Sequence, residues 1–254
     1  MEENICYLTI DEFPSEDSME KLNFLRKRNI PAILFARGDL LEQRPHIGVK
    51  AVRKGFVLGN HSYDHPDFSE ISLRRARDQI DETDTIIDEI YRKAGEERKA
   101  KYFRFPYFNR GGTEKRTEEL QEFLKDLGYR KPRFRDISYS WYREQGHHKF
   151  IDTYFTYSAD IFRLFEKGNS IETVQDILEK MDRNRPEERM GLRSKKSNDI
   201  VLINDSPFED QELSRKAFRK CLEKMLTMDL EFRLPHPHTN PFKPGPPTLE
   251  DFLS

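Results

Sequence analysis

Short apolar runs alternate along this chain with longer segments of helical period. That alternation constrains the fold most, because parallel strands joined by crossover helices produce it. Residues 5–10 read as a first strand, and Met19, Leu22 and Leu25 follow at helical spacing. A second strand is expected over 31–35 and one helix through 40–52, which Gly55 stops ahead of a short strand over 56–58. Ile80, Ile87, Ile90 and Tyr91 form one stripe of a long charged helix over 73–91. A strand over 102–105 precedes an amphipathic helix over 117–127, closed by Gly128 in a left-handed cap. The most apolar late strand covers 200–203, and the helix after it has Leu213, Ala217, Phe218, Cys221, Leu222 and Met225 on one face. The expected fold class is therefore α/β.

At 254 residues, without a repeat or a low-complexity linker, the chain suits one well-buried domain. The expected division is a domain over 1–234 and a proline-rich arm over 235–254. Residues 183–198, rich in Arg, Lys, Pro and Ser, are expected as a solvated loop or a basic rim to a cleft. Lys and Arg (44) nearly balance Asp and Glu (46), so nothing in the charge points to a nucleic-acid partner. Cys6 and Cys221 lie on separate apolar stretches and read as core residues of a reducing compartment. No run approaches the roughly 20 apolar residues of a spanning helix, and the acidic start lacks the basic segment of a secretory leader, so a cytoplasmic location is expected. The oligomeric state is not written in the sequence.

Chemistry is concentrated in His61-Ser62-Tyr63-Asp64-His65, two imidazoles four residues apart just after a strand ending in Gly59-Asn60. In a turn or helix such a pair points one way and can share an ion, although a capped, hydrogen-bonded turn would use the same residues. Thr9-Ile10-Asp11-Glu12 ends the first strand, and strand ends on one face of a barrel converge. Two imidazoles and a carboxylate make a catalytic zinc set with open positions, and the adjacent carboxylate is left free to take a proton.

The order of these pieces resembles the NodB-homology polysaccharide deacetylases of carbohydrate esterase family 4. Thr9-Ile10-Asp11-Glu12-Phe13 is similar to the family's Thr-Phe-Asp-Asp-Gly, His61 to His65 matches its His-Ser/Thr-x-x-His, and Arg104-Phe105-Pro106-Tyr107 matches its Arg-x-Pro-Tyr. Leu34-Phe35-Ala36-Arg37-Gly38-Asp39 resembles its second strand and exit. The resemblance implies a distorted (β/α) barrel and a hydrolase that removes N-acetyl groups from a carbohydrate. It also implies a divalent metal, zinc first, on Glu12, His61 and His65. Asp11 would then be the base, Arg104 would orient it and keep it ionised, and the backbone N–H of Tyr107 would face the oxyanion.

The chain departs from that pattern at three places. Glu12 stands where the family has Asp, adding one methylene. Ser158 stands where an Asp of the fourth motif is expected, with Asp160 as a possible substitute. Leu202-Ile203-Asn204-Asp205 replaces Leu-x-His-Asp, and an amide such as Asn204 cannot protonate a leaving amine. His147, His148, His236 and His238 could supply an acid, but read as solvent-facing. A degenerate glycan-binding protein and a hydrolase of a small non-sugar amide are the competing readings.

Overall fold

The nine residues of β1 (Ile5–Phe13) are almost continuously buried, which a central parallel strand covered on both faces requires. They belong to a computed structural model of the chain that describes residues 4–166, 173–183, 192, 197–205, 210–228 and 230–238. In order follow α1 (Ser18–Lys27), β2 (Ala32–Ala36), α2 (Gly38–Gln43), α3 (Pro45–Arg53), β3 (Val57–Asn60), α4 (Leu73–Ala94), α5 (Glu114–Asp126) and α6 (Ser140–Glu144). The chain continues through β4 (Tyr157–Ser158), α7 (Val174–Asp182), β5 (Asp199–Asn204), α8 (Gln211–Leu226) and β6 (Glu231–Phe232). The strands lie in the order β3-β2-β1-β5-β4, with β6 against the start of β1, and all pairings are parallel. Beyond β3 only isolated bridges carry the wall onward, Asn60 to Phe103 and Lys101 to Tyr129, so the barrel is distorted and open.

The period of two sorts the strand residues between two environments. Cys6, Leu8, Ile10, Leu34, Leu58, Val201 and Ile203 join the main core with residues of α1, α3, α7 and α8. Tyr7, Thr9 and Asp11 alternate with that set, in register with Ile200, Leu202 and Asn204 of β5. The inner wall of the barrel thus presents Asp11 and Asn204 at its carboxyl end. Gly59 is required there, because a Cβ at that position would stand 2.7 Å from the Phe35 ring.

Several expectations are corrected. The helix over 40–52 is two helices, because Pro45 has no N–H to continue the first and takes the first position of the second. The strand over 102–105 is only the two bridges. Cys6 and Cys221 are free and share the main core, as expected. The basic stretch over 183–198 falls largely outside the described residues, as does the arm beyond His238. Among the described residues, no helix is long and apolar enough to cross a membrane.

Candidate active site

The register between β1 and β2 slips between Asp11 and Phe13, which makes Glu12 an extra, bulged residue with φ 63°. A bulge re-aims a side chain, and here it lets two consecutive carboxylates serve one side of the strand. Asp11 pairs in register with Asn204, while Asn204 Nδ2 donates to Glu12 Oε1 at 3.2 Å.

The His61–His65 segment is a turn, held by partners on three sides. The His61 N–H donates to the Ala36 carbonyl, Gly38 N–H to the Ser62 carbonyl, and the Tyr63 and Asp64 N–H groups both to Gln79 Oε1 on α4. Asn60 Oδ1 accepts from Ser62 N–H, and its amide donates to the Ile80 carbonyl and the Tyr129 hydroxyl. Ser62 and His65 have φ of 67° and 63°, and it is this left-handed path that brings the rings within 4.9 Å of each other. Tyr107, at φ 51°, sets its ring 4.7 Å from that of His65. Four non-glycine residues of the left-handed region therefore ring one site, where backbone strain is expected to serve function.

Asp11 is 2% exposed. Arg104 Nη1 donates to Asp11 Oδ1 at 2.5 Å and to Thr9 Oγ1 at 2.8 Å, and its Nε donates to the Thr153 carbonyl. The guanidinium lies over the Phe35 ring at 4.3 Å, which fixes its plane. Burial raises the Asp11 pKa by more than the Arg104 guanidinium lowers it. Asp11 Oδ2 faces His61 Nε2 at 3.8 Å, and His61 Nδ1 lies 2.9 Å from the Arg104 carbonyl. Since a carbonyl only accepts, Nδ1 carries the proton and the Nε2 lone pair is free. Burial lowers the pKa of both His61 and His65, so both imidazoles are neutral at neutral pH.

In chemistry and tautomer, Glu12, His61 and His65 fit a divalent cation. In position they are incompletely gathered: among the described residues no three His, Cys, Asp or Glu side chains converge tightly enough to hold an ion as they stand. Glu12 instead accepts from Asn204, whose Oδ1 is buried with no partner among the described residues.

The other candidates lie elsewhere. Ser158 pairs with Leu202, two residues short of Asn204, and Asp160 forms an ion pair with Lys180. His147 is buried and stacked on Tyr154 at 3.7 Å, contrary to the solvent-facing expectation, whereas His148 is exposed. His236 and His238 sit in a separate cleft. A support that the sequence reading missed is Asp205, which accepts from the hydroxyls of Ser15 and Ser18 and from Lys21 Nζ, fixing the chain just after Asn204. Its only sequence sign was its place beside Asn204.

The sequence pattern described as polysaccharide deacetylase matches residues 1–132. The chain is 32% identical over 101 residues to a peptidoglycan-N-acetylglucosamine deacetylase of Bacillus cereus, covering 39% of this chain and 35% of that protein. It is 29% identical over 97 residues to the peptidoglycan-N-acetylmuramic acid deacetylase PdaA of Bacillus subtilis, covering 37% and 35% respectively. The matched stretch is thus well under half the length of these relatives. Among solved structures, a family 4 carbohydrate esterase from Streptomyces lividans shares the fold with a TM-score of 0.61 at 18% identity, over 91% of this chain and 92% of that one. A family 4 pseudoenzyme from Bacillus anthracis does so at 0.59 and 16%, over 89% and 60%.

Proposed function

Because the chain belongs to the polysaccharide deacetylase family, we propose that it is a metal-dependent hydrolase that removes N-acetyl groups from an amino-sugar glycan. Glu12, His61 and His65 would hold a divalent cation, zinc first. When bound, such an ion supplies Lewis acidity, polarising the amide carbonyl and easing deprotonation of water. The observation that carries the reading is the buried Asp11–Arg104 pair, set at the carboxyl ends of the strands beside two neutral imidazoles.

Asp11 takes the proton of the attacking water at Oδ2, the oxygen left free by Arg104. The water oxygen adds to the acetyl carbon, and the backbone N–H of Tyr107 faces the oxyanion. As the C–N bond breaks, Asp11 returns its proton to the amine, and acetate and the free amino sugar leave. Asn204 cannot be the acid; its unpartnered Oδ1 can accept an N–H from the leaving amine and so orient it. The Tyr107 ring is 65% exposed at the rim and suits the apolar face of a sugar.

The test is acetate release from N-acetylhexosamine oligomers and peptidoglycan fragments by metal-replete protein, with elemental analysis alongside. Asp11→Asn should lose roughly 10²- to 10⁴-fold in rate with its metal content intact. Glu12→Ala and His61→Ala should lose the metal as well. If no acetate is released from any of these glycans, the proposal is wrong.

Asn204 itself favours a second reading, a glycan-binding member with little turnover. Under that reading, Asn204→His gains hydrolysis while glycan affinity stays the same.

A further inference from the structure

At the opposite end of the strands from Asp11 lies a basic cleft that the deacetylase reading does not use. It has a volume of about 590 Å³, and its wall includes Arg98, Lys99, Lys101, Arg130, Lys131 and Arg133, with no acidic residue among its described lining. A neighbouring cleft of about 340 Å³ shares Arg133 and His236 and adds Arg135, His238 and Arg233, the last paired with Glu231 of the same wall. Tyr7 also lines the second cleft and lies four residues upstream of Asp11 on β1, roughly 13 Å away at strand rise. Basic cleft and catalytic carboxylate therefore occupy different ends of the same wall.

Internal neutralisation is partial. Asp84 accepts from Arg98 and Lys101, and Asp88 from Arg98. Lys99, Arg130 and Arg133 are exposed and have no acidic partner among the described residues. Buried donors without acceptors add to these charges. Arg98 is 6% exposed in its side chain, yet its Nε and Nη2 have no partner among the described residues, and neither has the hydroxyl of Tyr102, a residue that also lines the cleft. In the neighbouring cleft His238 Nε2 is likewise buried and unpartnered. Burial, Lys99 and His236 press the His238 imidazole down to about 4, so it adds no charge at neutral pH.

Unmet buried donors beside uncompensated cations call for a ligand rich in acceptors and negative charge. A single carboxylate would answer one cation of the three and little of the volume. We infer that this cleft binds an anion carrying two or more phosphoryl groups. Each phosphoryl offers three acceptor oxygens, and the planar fork of Arg133 suits two of them at once.

Calorimetric titration of the full chain with sodium tripolyphosphate tests this. Saturable binding is expected at low salt, weakening as salt rises because exposed charges are screened. The double substitution Lys99→Ala with Arg133→Ala, both exposed, should weaken it at least tenfold. Tyr102→Phe should weaken it severalfold without lowering the unliganded melting temperature, because it removes a hydroxyl that bonds to nothing in the free protein. His61→Ala should bind as the parent does, which separates the cleft from the catalytic end and from the fate of the deacetylase reading. Adenosine triphosphate forms a second arm: tighter binding than tripolyphosphate assigns the site to a nucleotide, and equal binding to the phosphate chain alone. An absence of saturable heat at low salt, an unchanged affinity in the double variant, or a loss in His61→Ala would each overturn the inference.

Discussion

Lys21 lies on the buried face of α1 with Leu22, Phe24 and Leu25, and its ammonium bridges Asp17 at 2.8 Å and Asp205 at 2.7 Å in a nearly dry pocket. Only the fold brings Asp205 there, from 184 residues away. Removing one partner of such a pair strands a buried carboxylate, which costs about 3–5 kcal/mol. Lys21→Met should lower unfolding free energy by that order in urea denaturation, and a loss below about 1 kcal/mol would show that water reaches Asp205. The residues proposed to carry chemistry were easier to read than their supports. Asp11, Glu12, His61, His65, Arg104, Tyr107 and Asn204 stand in short motifs at strand ends, and strand ends meet wherever the chain folds as parallel β/α units. What the motifs could not convey was balance: burial outweighs Arg104 at Asp11, and Glu12 is shared with Asn204.

Among elements, the strands with continuous apolar burial and the long amphipathic helices were legible, since burial on both faces or on one stripe leaves a periodic trace. α4 begins at Ser72, whose side chain accepts from Arg75 N–H, and ends at Gly95 with φ 75°, as helix-terminal chemistry dictates. The segment over 102–105 was overread because three aromatic residues out of four look like a strand whether or not a neighbour pairs with them. Its bonds go instead through Asn60, whose N–H donates to the Tyr102 carbonyl while the Asn60 carbonyl accepts from Arg104 N–H. β3 depends on a close approach that a side chain would block. Gly59→Ala drives a methyl into the Phe35 ring beneath Arg104, and overpacking of this kind costs about 1–3 kcal/mol. Thermal unfolding should register that loss, and restoring the stability with Phe35→Leu would identify the ring as the obstacle.

Across the whole molecule, stability carries a pH dependence from one buried carboxyl. Asp199 begins β5 and is 3% exposed; Thr156 and Tyr139 hydroxyls donate to it, but burial still pushes its pKa from 3.8 up to about 6. Between those values the unfolded chain has released this proton and the folded one retains it, so stability falls as pH rises through roughly 4 to 6 and stays reduced above. The cost is about 3 kcal/mol for a shift of some two pH units. Asp199→Asn keeps an acceptor for both hydroxyls and removes the proton linkage. Chemical denaturation at pH 4 and pH 7 should show the variant gaining on the parent at the higher pH, and equal gains at both would refute the assignment.

The left-handed turn through Ser62 also bears on the durability of the fold. A serine there bends against its own Cβ, and its hydroxyl is buried with nothing to bond. Both are debts that glycine would cancel, at some cost in added freedom of the unfolded chain. Ser62→Gly should therefore raise the melting temperature by a few degrees, while the acetate release proposed for this site should slow as the hinge between the two imidazoles slackens. A thermostable variant selected without regard to turnover would be expected to find this substitution early, and to be the poorer catalyst for it.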